Sequence, residues 1–202
     1  LIAFEIDEDT KKYLVPLENE RTKIVFCDFL NTDIKSFLKD YKYDKLYFLG
    51  NLPYYITTPI IEHIIESKVA HQSLTIMVQK EVAERFLANP GTKDYGYMTV
   101  LLNHHYEISK VVDVTRDKFF PAPKVDSTVL KLTYKNPKEI DYEKFKTILK
   151  EAFQFKRKNI SNNLKKYDKT KLEQILNEHG KSSKDRAEEL DLETLLDLTK
   201  LI

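Results

Sequence analysis

Asn51, Leu52, Pro53 and Tyr54 stand side by side in the chain, and their types suit one kind of chemistry. The Asn51 amide carries an oxygen that can accept a hydrogen bond from an amino group. Pro53 has no backbone N–H and fixes its own φ. A turn held by it can therefore aim the carbonyl of residue 52 or 53 at a bound molecule. Two acceptors converging on one –NH2 group would turn its lone pair toward an electrophile. Tyr54 adds a flat face on which a base can stack. No strong base is evident here, which suits methylation of an exocyclic amine by a very reactive donor, where positioning supplies most of the rate.

The flanking residues predict how the turn is held. Lys45-Leu46-Tyr47-Phe48-Leu49 is apolar and aromatic and reads as a buried strand. Thr57-Thr58-Pro59 reads as a helix start, with a hydroxyl cap and a proline in the first turn. The turn then lies at the carboxyl end of a strand, the edge where open α/β sheets place ligands.

Three further segments stand in a suggestive order. They are Ala3-Phe4-Glu5-Ile6-Asp7, then Cys27-Asp28-Phe29-Leu30, then Phe119-Phe120-Pro121-Ala122-Pro123-Lys124-Val125-Asp126-Ser127-Thr128-Val129. Together with Asn-Leu-Pro-Tyr-Tyr-Ile-Thr-Thr-Pro-Ile-Ile they resemble, in order and spacing, the ribosomal RNA adenine dimethyltransferases. Arg186-Ala187-Glu188-Glu189-Leu190 resembles the last helix region of that family's small-subunit branch. The resemblance covers essentially the whole chain. It implies transfer of methyl groups from S-adenosylmethionine to the N6 amine of adenosines in small-subunit (16S) ribosomal RNA during ribosome biogenesis. The partners it implies are that RNA and the pre-ribosomal small subunit, met by a monomer.

The same resemblance implies roles. Glu5 would accept hydrogen bonds from the ribose hydroxyls of the cofactor. Asp28 would accept from its adenine amine, with Phe29 supplying backbone and apolar contact. Asn51 and a turn carbonyl, from Leu52 or Pro53, would hold the target amine, with Asn51 also bordering the cofactor. Tyr54 would stack on an extruded base, and Phe119 would close its other face, kept in place by Pro121 and Pro123. Asp7 is expected to cap the helix that follows it. One feature departs from the family. Its glycine-rich cofactor loop has no counterpart here, because Gly50, Gly91, Gly96 and Gly180 form no such motif. The chain starts at Leu1 in what reads as the second strand of the fold. It is therefore read as truncated at its N-terminus, and these residues alone are expected to bind the cofactor weakly and to be inactive.

Composition narrows the class. A hydrophobic content of 42% suffices for a core, and no apolar run approaches the roughly 20 residues a membrane span needs. Cys27 is the single cysteine, so no internal disulfide forms, and a cytoplasmic setting is the simplest. His104 and His105 are adjacent, without metal-ligand spacing, and read as surface or satisfied core histidines. No metal is expected. Net charge is near zero, yet Lys135 to Lys171 holds twelve Lys/Arg against five Asp/Glu. Phe153-Gln154-Phe155-Lys156-Arg157-Lys158 interleaves aromatics with cations there, a pattern suited to RNA phosphates.

Strands are predicted over 1–6, 23–27, 45–49, 74–78, 106–114 and 128–134. Helices are predicted over 8–19, 57–67, 80–87, 97–104, 141–154, 158–165, 169–178 and 191–200. The expected fold class is α/β: a Rossmann-like class I methyltransferase domain over 1–135 and a small all-helical RNA-binding domain over 136–202, divided at Asn136-Pro137. Two other functions fit parts of the pattern. One is a large-subunit adenine methyltransferase of antibiotic-resistance type, with a similar Asn-hydrophobic-Pro-Tyr turn. The other is a non-catalytic ribosome assembly factor that binds RNA through the basic helices.

Overall fold

The computed structural model describes every residue except Tyr54, so the expectation placed on Tyr54 lies outside the described residues. The chain forms two compact units, Leu1–Leu46 with Pro53–Ala70, and Tyr47–Leu52 with His71–Ile202.

In the first unit, strands β1 (Ile2–Glu5) and β2 (Lys23–Phe26) pair in parallel, with Glu5 opposite Phe26. The predicted helix over 8–19 is divided. A 3-10 turn at Glu8–Thr10 leads into α1 (Lys11–Leu14), and a second 3-10 turn follows at Val15–Leu17. Pro16 explains the division, since it has no N–H to continue the helical ladder. Asp7 caps the first of these turns, its side chain accepting from the Asp9 N–H at 2.9 Å. A short helix that the pattern does not announce, α2 (Ile34–Leu38), begins at Asp33, whose carboxylate accepts the Ser36 N–H. Helix α3 (Thr57–Glu66) buries Ile60, Ile61, Ile64 and Ile65, the i, i+1, i+4, i+5 stripe of an amphipathic helix. Its N-terminus corrects an expectation. Ile56 occupies the cap position, and the Thr57 hydroxyl instead reaches back to the Pro53 carbonyl at 3.5 Å.

The second unit is a four-stranded sheet in the order β3 (Tyr47–Asn51), β4 (Ser73–Gln79), β6 (Ser127–Tyr134), β5 (Tyr106–Val114). β3 runs parallel to β4, and β6 is antiparallel to both of its neighbours. β6 is central, so Leu130 and Leu132 lose all exposure, each contributing about 1.5–3 kcal/mol. A register shift between Lys110 and Val112 leaves Val111 as a bulge residue on the edge strand. The helices of this unit are α4 (Lys80–Phe86), α5 (Tyr97–His105), α6 (Tyr142–Ala152), α7 (Ile160–Asn163), α8 (Lys169–Glu178) and α9 (Leu192–Asp197). α7 is shorter than predicted because Asn159 caps it and excludes residue 158. Among the described residues no helix is long and apolar enough to cross a membrane.

β3 does not match the expectation of a buried strand. Tyr47 is 55% and Leu49 76% exposed, while Phe48 packs edge-on against the His71 ring at 5.2 Å. Successive side chains of a strand point to opposite faces, and the face that carries Tyr47 and Leu49 is left uncovered. An apolar run had implied cover on both faces.

The paired histidines also depart from expectation. His104 is buried and His105 half-buried, and neither Nε2 has a hydrogen-bond partner. Burial holds both below the ordinary value of 6.5. His105 is pushed down to about 3, with neighbouring His104, His71 and Lys135 adding to the effect. Both take up a proton at lower pH in the folded chain than in the unfolded chain, which does so below about pH 6.5. Stability is therefore full above pH 6.5 and falls as the pH drops toward 3. Denaturant titration is expected to show a loss of about 1–3 kcal/mol between pH 7 and 4.5. The double variant His104→Gln, His105→Gln should flatten that slope, and an unchanged slope would place the acid sensitivity elsewhere.

Candidate active site

Asn51 ends β3 and is exposed. Its side-chain amide and the Leu52 carbonyl have no hydrogen-bond partner among the described residues, so two acceptors stand free in succession at a strand end. Gly50 makes this local shape possible. A Cβ at position 50 would lie 2.9 Å from Cγ and Cδ2 of Leu52, so the Leu52 side chain folds back over the glycine. Sequence reasoning gave Gly50 no role, although a glycine directly before Asn-Leu-Pro was the available signal.

The two carbonyls of the turn differ in their partners. That of Pro53 accepts the Ile56 N–H at 3.1 Å and the Thr57 hydroxyl, closing the turn that leads into α3. The Pro53 carbonyl is thus tied into the turn, while that of Leu52 has no such partner among the described residues.

The first unit brings Glu5 and Asp28 to one edge. The register of β1 against β2 places both at the carboxyl ends of adjacent parallel strands, and the Cys27 N–H donates to the Glu5 carbonyl at 3.0 Å. Oε1 of Glu5 accepts the Asp7 N–H at 2.8 Å, while its Oε2 has no partner among the described residues. Asp28 caps a 3-10 turn: Oδ1 accepts the Leu30 N–H at 2.9 Å and Oδ2 accepts from the Asn31 amide at 3.0 Å. Each Asp28 oxygen keeps a second lone pair. Phe29 is half-buried, edge-on to Phe4 at 5.0 Å and to His63 at 5.5 Å, so its ring is held as a firm apolar surface. Carboxylates accept from hydroxyls and amines, so this edge suits the sugar and base ends of a nucleoside.

In the second unit, Phe119 is half-buried at the start of the proline-rich loop. The loop is clasped at its base. The Arg116 N–H donates to Oδ1 of Asp126 at 3.0 Å, and the Arg116 guanidinium donates to the Lys124 carbonyl at 3.3 Å. The Asp126 carbonyl in turn accepts the Lys80 N–H at 3.0 Å. An open groove of about 460 Å³ runs beside the clasp. Arg116 and Asp126 were not singled out from the sequence; opposite charges bracketing a proline loop were the signal.

Acids stand at the ends of the parallel pair in the first unit and a free amide at the end of β3 in the second, and solved structures share the fold that carries them. The chain superposes on a dimethyladenosine transferase from Plasmodium falciparum with a TM-score of 0.76 and 26% identity, over 98% of this chain and 79% of that one. It superposes on the 23S rRNA methyltransferase ErmE with a TM-score of 0.66 and 25% identity, over 98% and 80%. The fold is that of the Rossmann-like rRNA methyltransferases. The family model for ribosomal RNA adenine dimethylase matches residues 1–202, and the chain belongs to that family. Three curated relatives are each called ribosomal RNA small subunit methyltransferase A. The one from Lactobacillus johnsonii is 37% identical over 100% of this chain and 73% of its own length. That from Onion yellows phytoplasma is 38% identical over 98% and 76%. That from Thermotoga maritima is 38% identical over 98% and 66%.

Proposed function

We propose that the protein transfers methyl groups to the N6 amine of adenosines in small-subunit ribosomal RNA, with S-adenosylmethionine as the donor. One observation carries the reading. The Asn51 amide and the Leu52 carbonyl are free acceptors, adjacent in sequence, at the carboxyl end of β3. Acceptors of this kind can take both hydrogens of an amine and leave its lone pair to point outward.

Glu5 and Asp28 would hold the sugar and base of S-adenosylmethionine, and Phe29 would pack against it. When bound, that cofactor supplies an electrophilic methyl group on a sulfonium sulfur. Asn51 and Leu52 orient the nucleophile. Tyr54 and Phe119 keep the base flat, and the aromatic cover excludes water. An adenine inside a helix hides this amine, so the base must be unpaired or extruded. Stacking worth about 1–3 kcal/mol per base offsets much of that cost.

Residues 136–202 would form the RNA-binding domain. Phe155 is 47% exposed and carries the Lys158 ammonium over its ring at 4.4 Å, next to exposed Lys156 and Arg157. Such a cluster contacts phosphates without reading sequence. Immature small subunits would be the substrate particle, a monomer the acting species, and the cytoplasm, where those particles assemble, the setting.

The test supplies the full-length protein with methyl-labelled S-adenosylmethionine and either immature small subunits or naked large-subunit RNA. Dimethyladenosine in the small-subunit RNA is the expected product. Label confined to large-subunit RNA would reassign the substrate, and RNA binding without label would favour the assembly-factor reading.

A further inference from the structure

Phe120 stands at the tip of the clasped loop with a relative exposure of 102%, so none of its ring is covered. Scattered exposed apolar residues are ordinary. This one differs because its loop is held from several sides. Arg116 and Asp126 close the base, and the Lys118 N–H donates to the Thr115 carbonyl at 3.1 Å. The Phe119 N–H donates to the Arg116 carbonyl at 3.3 Å. Pro121 and Pro123 fix φ on the far side. An aromatic ring presented to solvent on a stiffened loop loses little conformational freedom when it binds.

Its surroundings select the partner. Arg116, Lys118 and Lys124 flank the ring along the chain. Lys118 is shared with Asp117 at 3.1 Å, whereas Lys124 is exposed and has no carboxylate partner among the described residues. Lys80, Arg116 and Lys124 also line the open groove. Of the acids there, Glu81 is paired with Arg85 and Asp126 is committed to the clasp, which leaves Glu84. An uncovered aromatic between cations in the sequence, on a loop whose base borders a groove, fits a nucleobase with its phosphate.

We infer that Phe120 is a stacking platform for a second unpaired base of the RNA, one beside the base that is methylated, with Lys124 meeting the backbone. Phe120 is a positioning residue: it fixes the strand's register at the site and touches no reacting atom. The inference rests on RNA being the substrate, and it is read by a signal that does not need turnover.

The probe is a short RNA stem-loop with 2-aminopurine at an unpaired loop position, added to the full-length protein. Stacking quenches its fluorescence. Phe120→Ala is expected to abolish the quench and weaken binding by about 5- to 150-fold, the range for one stacked base. Thermal stability should stay unchanged, since the ring is uncovered. Phe120→Trp should restore the quench. Lys124→Ala should keep the quench and reduce the salt dependence of binding by about one phosphate contact. Retention of both quench and affinity in Phe120→Ala would overturn the inference, as would full rescue by Phe120→Leu, which has no π-face. Labelled methyl transfer by the unsubstituted protein, run alongside, separates the two readings: its absence would count against adenine methylation while the quench still decides Phe120.

Discussion

Replacing Asn51 with alanine is expected to lower turnover by roughly 10²- to 10³-fold while RNA affinity changes no more than about threefold. The difference follows from what the side chain touches. Its amide is exposed and has no hydrogen-bond partner among the described residues, so its removal costs the fold little. RNA affinity would come from many phosphate contacts spread over other residues. What alanine removes is one of the two acceptors proposed to orient the amine, and misplacing a nucleophile by about 1 Å can cost 10²-fold. Asn51→Asp keeps an acceptor oxygen and should retain more activity than Asn51→Ala. Single-turnover rates and RNA affinities for the two variants check this. Parallel losses of rate and affinity would move Asn51 from orienting the amine to docking the RNA.

Local pattern carried most of the elements. The isoleucine stripe of α3 and the alternation Ser-Thr-Val-Leu-Lys-Leu-Thr of β6 each state which face is buried, and the structure buries those faces. Asp7 and Asn159 are legible as caps because a short acceptor before a helical pattern has few other uses, and both cap in the structure. Where the reading failed, a partner distant in sequence decided. β3 looked buried because an apolar run does not show that one of its two faces finds no cover. The histidine pair looked satisfied because nothing local shows that both Nε2 atoms end up in apolar surroundings. At the site, residue types announced that a carbonyl must serve the amine. Nothing local showed that Ile56 and Thr57 turn back to occupy the Pro53 carbonyl and leave that of Leu52 without such partners. Gly50 was hidden for the same reason, since its role arises from where the Leu52 side chain falls.

Phe145→Ala is expected to destabilise the protein by about 3–5 kcal/mol, and its outcome bears on how residues 136–202 relate to the sheet. Phe145 lies on α6 with no exposed surface, its ring 5.4 Å from that of His104 on α5. Other links join the same regions: the Gly91 N–H donates to the Glu188 carbonyl at 2.6 Å, and Tyr95 meets Phe153 at 6.2 Å between ring centroids. These contacts place the late helices and the four-stranded sheet in one compact unit. A functional RNA-binding segment need not be a separate folding unit, and here the shared core predicts that it melts with the sheet. The midpoint should fall by about 6–20 °C in a single transition seen by both far-ultraviolet and near-ultraviolet circular dichroism. Two transitions, with only the helical one displaced, would show that 136–202 folds on its own and that α5 contributes little to its core.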